Sequence, residues 1–80
     1  MPNAPLEHPR WFDLEMRLEL LNELARREPP LRQHDIAAAA GVTDSAVSQM
    51  LRGGAPVSSR VWQAIARLAP GFASSQGHLT

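Results

Sequence analysis

The sequence predicts an all-α fold, a compact bundle of four to five helices, and three observations carry that prediction. Strong helix formers recur throughout, with apolar residues spaced three and four apart as on one face of a helix. Prolines and glycines at 29–30, 41, 53–54 and 70–71 cut the chain into helix-sized pieces, because each either breaks or closes a helix. No stretch shows the strict alternation of a half-buried strand, and no segment repeats.

Taken in order, residues 1–8 hold two prolines and little apolar content and are expected to form a flexible arm. Pro9 suits the first turn of a long helix over residues 11–28. Pro29 and Pro30 end that helix, since neither can continue its hydrogen bonding. It carries two apolar stripes: Trp11, Leu14, Leu18, Leu21 and Ala25 form one, and Phe12, Met16, Leu20 and Leu24 the other. So small a domain covers one stripe readily, which leaves the second either sunk among neighbouring helices or free for a partner.

A second helix is expected over residues 33–40, closed by Gly41. Thr43 is placed to cap a third over residues 44–51 or 52, with Asp44 in its first turn and Gly53 and Gly54 after it. Ser58 or Ser59 caps a fourth that runs to residue 68 or 69. That helix sets Val61, Ile65 and Leu68 on one face, with Trp62 beside them, and stops at Pro70 and Gly71. The residues beyond are small, polar and glycine-containing. The expected organisation is therefore an arm at 1–8, one domain at 9–69 and a disordered tail at 70–80.

A chain of 80 residues makes one domain near the lower limit of independent stability. It has no cysteine, so neither a disulfide nor a thiolate metal site can reinforce it. No apolar run approaches the ~20 residues of a membrane span. The first residues lack the basic and apolar regions of a signal peptide, and a cytoplasmic location is expected. His8, His34 and His78 are too scattered for a metal cluster, and no cofactor is implied. Ser45, Ser48, Asp44 and His34 suggest no triad, since serines on the outside of a short helix have no cleft around them. An enzyme is not expected.

Formal net charge is zero, which by itself argues against a nucleic-acid partner. The distribution alters that reading. Through residue 31 acidic side chains outnumber basic ones, whereas from residue 32 onward Arg32, Arg52, Arg60 and Arg67 face only Asp35 and Asp44. Every basic residue is arginine, whose planar fork suits phosphate and guanine edges. A GC-rich genome would produce the same preference.

The most informative stretch is residues 33–52, QHDIAAAAGVTDSAVSQMLR. Two short helices joined by a tight turn containing glycine describe a helix-turn-helix. Such helices cross steeply, so a small residue must stand at the crossing, and Ala37 is there. The turn requires tolerance of positive φ, which Gly41 supplies. Ile36, Ala40, Val42, Val47 and Met50 stand where apolar residues must hold the pair together.

Residues 33–68 resemble the DNA-binding domains of the phage-repressor and Cro-like type and of the LacI type. The LacI-like similarity lies in Asp35-Ile36-Ala37, Ala40-Gly41-Val42-Thr43 and Ala46-Val47-Ser48, and continues in Val57-Ser58, Arg60-Val61, Ala64-Ile65 and Leu68. Gln33 at the head is the phage-repressor feature. LacI-type proteins carry the motif at their extreme N-terminus and follow it with a sugar-binding domain. Here a long helix precedes it, as in small regulators of plasmid and phage type. Where many relatives cap the motif with Ser or Thr, this chain has Leu31 or Arg32.

The resemblance implies that the third helix, residues 44–52, enters the major groove with its N-terminal end leading. Gln49 can pair bidentately with adenine, and Arg52 with guanine or a phosphate. Ser45 and Ser48 can bond to bases or backbone. Asp44 is foremost a first-turn helix stabiliser, with a cytosine amino group as its other use. Gln33 and Thr43 resemble the family's phosphate-positioning residues. Arg32 and Arg60 are electrostatic contacts or solvated surface charges.

The expected function is a transcriptional repressor binding an inverted-repeat double-stranded DNA operator as a homodimer, with room for a protein co-regulator. Dimerisation is expected through Phe12, Met16, Leu20 and Leu24, or alternatively through the fourth helix with Trp62. An antitoxin-type regulator that also binds a protein, and a pure protein-interaction module, are the competing readings.

Overall fold

The computed structural model describes residues 11–76, so the expected arm at 1–8 and the last four residues lie outside it. Five helices follow one another: α1 Leu14–Ala25, α2 Gln33–Ala40, α3 Asp44–Leu51, α4 Ser59–Leu68 and α5 Pro70–Ser75. Among the described residues there is no strand, and no helix is long and apolar enough to cross a membrane.

Each boundary has a local cause. α1 begins at Leu14, not at Trp11, because the Asp13 carboxylate accepts the Met16 amide at 2.8 Å and fixes the first turn there. It ends at Ala25, three residues earlier than the prolines require. The Leu31 amide then reaches back to the Leu24 carbonyl at 2.9 Å and holds the connection to α2. The start of α2 has no serine or threonine, and Asp35 compensates by accepting the Arg32 amide at 2.7 Å, the acidic half of a capping box. The hydroxyls of Thr43 and Ser58 accept the Ala46 and Val61 amides at 3.1 and 3.2 Å, starting α3 and α4.

α2 and α3 end in the same way. Gly41 takes φ 73°, its amide bonds to the Ala38 carbonyl at 3.3 Å, and the Val42 amide bonds to Ala37 at 3.0 Å. Gly53 takes φ 82°, with its amide on Met50 at 3.1 Å and the Gly54 amide on Gln49 at 2.8 Å. Both are Schellman closures, which place a left-handed residue, normally glycine, just past the helix.

The core is built around α4. α2 packs on α3 and on α4, α4 on α5, and α5 on α1. Ile36, Ala37 and Ala40 of α2 meet Val47 and Leu51 of α3 and Val61, Trp62, Ala64 and Ile65 of α4 in one buried cluster. Val42 and Met50 pack partly buried against it. The small residue, the glycine and the apolar positions that the sequence assigns to the helix pair are thus all in place.

Two expectations need correction. The stripe formed by Phe12, just before α1, and by Leu20 and Leu24 within it, with Met16 partly buried beside them, faces the core, and Trp62 is buried there too. None of these four buried side chains offers a free surface for a second chain. The stripe left outside is the other one: Trp11, Leu14 and Leu18 are 53%, 60% and 52% exposed.

The second correction explains the first. Residues 70–75 form α5, whose Phe72 is buried with its ring 5.7 Å from Phe12 and 5.9 Å from Trp62. This aromatic trio selects which stripe of α1 turns inward, since ring pairs at these separations stabilise beyond their buried area. Glu23 of α1 reinforces the attachment, accepting the Gly71 amide and the Arg27 guanidinium, each at 3.0 Å.

Candidate nucleic-acid interface

α3 is short and amphipathic, and its two faces are sharply divided. Val47 and Leu51 are buried, and Ala46 and Met50 are half-buried. Asp44, Ser45, Gln49 and the capping Arg52 are exposed, and Ser48 is half-buried among them. At 100° per residue these five side chains share an arc of roughly 140°. All are polar and none is larger than arginine, so the face is a hydrogen-bonding surface with no apolar obstruction. A helix of this breadth fits the major groove of B-DNA, which admits one α-helix.

The charge of Arg52 on this face, and that of Arg32 at the start of α2 and Arg60 in the first turn of α4, is available for a ligand. Among the described residues Arg52, Arg32 and Arg60 form no ion pair; the two ion pairs there join Arg27 to Glu23 and His34 to Asp35. Each guanidinium therefore keeps its full set of donors for phosphate or base edges. Asp44 also forms no pair, and it lies in the first turn of α3, where a carboxylate complements the helix dipole.

Thr43 combines two roles. Its oxygen accepts the Ala46 amide, which leaves the hydroxyl proton free to be donated outward. A residue that both starts the helix and offers a donor beside it suits contact with a phosphate oxygen. Arg32 and Gln33 stand together at the start of α2, Arg32 exposed and Gln33 half-buried. The α3 face thus unites Asp44, Ser45, Ser48, Gln49 and Arg52, while Thr43 precedes it and Arg32 and Gln33 belong to the helix packed against it.

Two features of the site escape a reading of the sequence. Gly53 is required twice, once for its positive φ and once because a Cβ there would come 2.9 Å from the Phe12 carbonyl oxygen. The chain entering α1 therefore lies against the end of α3. The Gln49 side chain lies over Gly54, with its Cγ 3.1 Å from where a Cβ of residue 54 would be.

Comparison with known proteins agrees with this geometry. A family profile described as "Helix-turn-helix" matches residues 23–69, which takes in the end of α1, the whole α2–α3 pair and α4. No curated protein and no solved structure matches the chain. The family is a DNA-binding regulatory one and not a class of enzymes. With more than half of its length matched and its α2–α3 pair built as such a motif demands, the chain belongs to the Cro/C1-type helix-turn-helix family of DNA-binding regulators.

Proposed function

We propose that the protein is a sequence-specific transcriptional repressor that binds an inverted-repeat operator as a homodimer, with α3 in the major groove. The observation that supports this most is the uninterrupted polar face of α3, ending in the unpaired Arg52. Gln49 and Arg52 read bases, Ser45 and Ser48 bond to bases or backbone, and Thr43, Gln33 and Arg32 fix the register on phosphates.

The exposed ridge Trp11, Leu14 and Leu18 supports dimerisation. A second copy of the chain suits it for two reasons. On α1 the ridge has an acidic residue, Glu15, on one side and a basic one, Arg17, on the other, so a copy turned about a dyad can set opposite charges against each other. It also begins beside the end of α3, through the close approach of the Phe12 carbonyl to Gly53. Copies joined there would hold two reading helices at one separation, as paired half-sites about a helical turn apart require. An antitoxin-type regulator shares the DNA face and differs in placing another protein on the ridge.

Equilibrium binding to duplexes selected from a random pool tests this reading. If Arg32 and Arg60 of both copies meet phosphates while Arg52 reads a base, affinity falls about 10²-fold between about 50 and 200 mM salt, with two chains bound per palindromic site. Salt-independent binding, or one chain per site, would overturn it.

A further inference from the structure

We infer that Gly54 is a positioning residue for base recognition, acting through Gln49. The inference rests on the reading of α3 as the helix that contacts DNA. Gly54 differs from its neighbour Gly53: it is not among the positive-φ residues, so no left-handed backbone calls for a glycine there. What glycine supplies here is space. A Cβ would stand 3.1 Å from Gln49 Cγ, 3.4 Å from the Gln49 carbonyl oxygen and 3.9 Å from Gln49 Nε2. A Cβ at residue 54 would thus crowd the Gln49 side chain by a few tenths of an ångström.

The amide of Gly54 also donates to the Gln49 carbonyl at 2.8 Å. Residue 54 is therefore locked beneath Gln49 by the same turn that closes α3, and it cannot move away without opening that closure. A methyl group at 54 is accommodated by a shift of the exposed Gln49 side chain, and that shift carries the carboxamide with it. Bidentate pairing to adenine uses both the oxygen and the nitrogen of that carboxamide in one plane, so a displacement of a few tenths of an ångström at Cγ is magnified at the atoms that read the base. Specificity at one base pair is thus set in part by a residue that need not touch DNA.

The test compares wild type, Gly54→Ala, Gln49→Ala and the double variant on the duplex that wild type selects from a random pool, and on versions with each base pair exchanged in turn. Gly54→Ala is expected to lose discrimination about fivefold to a hundredfold at one position, the loss of a bidentate contact. That position should be the one affected by Gln49→Ala, with no further loss in the double variant. In the free protein, the Gln49 side-chain amide resonance should shift in Gly54→Ala while the thermal midpoint stays near that of wild type. Unchanged discrimination, a uniform loss at every position, or an effect that persists without Gln49 would overturn the inference and leave the DNA-binding reading intact. Failure of wild type to select any sequence would overturn both.

Discussion

Leu18 and Leu20 are two residues apart on α1, and placing Glu at each should produce opposite outcomes. Leu20 is fully buried in the core and Leu18 is half exposed. Removing the Leu20 side chain costs about 2–5 kcal/mol, as for other buried leucines. A carboxylate put in its place has no partner and adds several kcal/mol of desolvation. At ~0.05–0.15 kcal/mol per residue the whole fold is worth about 4–12 kcal/mol, so Leu20→Glu should not fold. Leu18→Glu, by contrast, keeps a good helix former on an exposed face and should alter monomer stability by less than about 1 kcal/mol.

The effect of Leu18→Glu should appear in assembly. If the ridge joins two copies, each loses about half of a leucine's burial, roughly 1 kcal/mol per copy. Like charges then face each other across the dyad, and together these weaken the dimer by at least about 2 kcal/mol, some 30-fold in Kd. Urea titration followed by circular dichroism measures the first quantity, and sedimentation equilibrium the second. A folded, monomeric Leu20→Glu together with a dimeric Leu18→Glu would refute the reasoning and return the interface to the inner stripe.

Gly41→Ala and Gly53→Ala make a second pair. Both meet left-handed strain of about 1–2 kcal/mol, but only residue 53 adds a clash with backbone, at the Phe12 carbonyl. Gly53→Ala should therefore be the more destabilising by about 1–3 kcal/mol in denaturant titration, and equal losses would contradict the close approach of α1 to α3. Phe72→Ala should cost about 3–5 kcal/mol, as expected of a buried ring, and should alter Trp62 fluorescence. A near-neutral outcome would mean that α5 is not part of the core.

The middle of the chain was legible because its punctuation is chemical. Gly41, Thr43, the Gly53-Gly54 pair and Ser58 mark the ends of α2, α3 and α4, and each does so through a hydrogen bond or a positive φ that few other residue types provide. The outward face of α3 followed from the same periodicity. α1 was harder, because its composition permits a helix from Trp11 to the prolines and only the Asp13 cap sets the start at Leu14.

Which stripe of α1 turns inward was not legible from α1 at all. Both stripes have the spacing of a buried face, and the choice depends on Phe72, fifty-odd residues away in a segment whose small polar composition resembles a disordered tail. The relation of Gly54 to Gln49 is hidden for a similar reason, since a glycine pair after a helix looks like a stop signal and nothing more.

The most direct measurement is fluorescence anisotropy on the selected operator and on a scrambled duplex, with wild type and the Gln49→Ala, Arg52→Ala double variant. Both side chains are exposed, so the fold should survive their removal. Wild type should prefer the operator by about 10³-fold or more, and the double variant should lose most of that preference while keeping its salt-dependent affinity for any duplex. Undiminished preference in a folded double variant would show that α3 is not the reading helix.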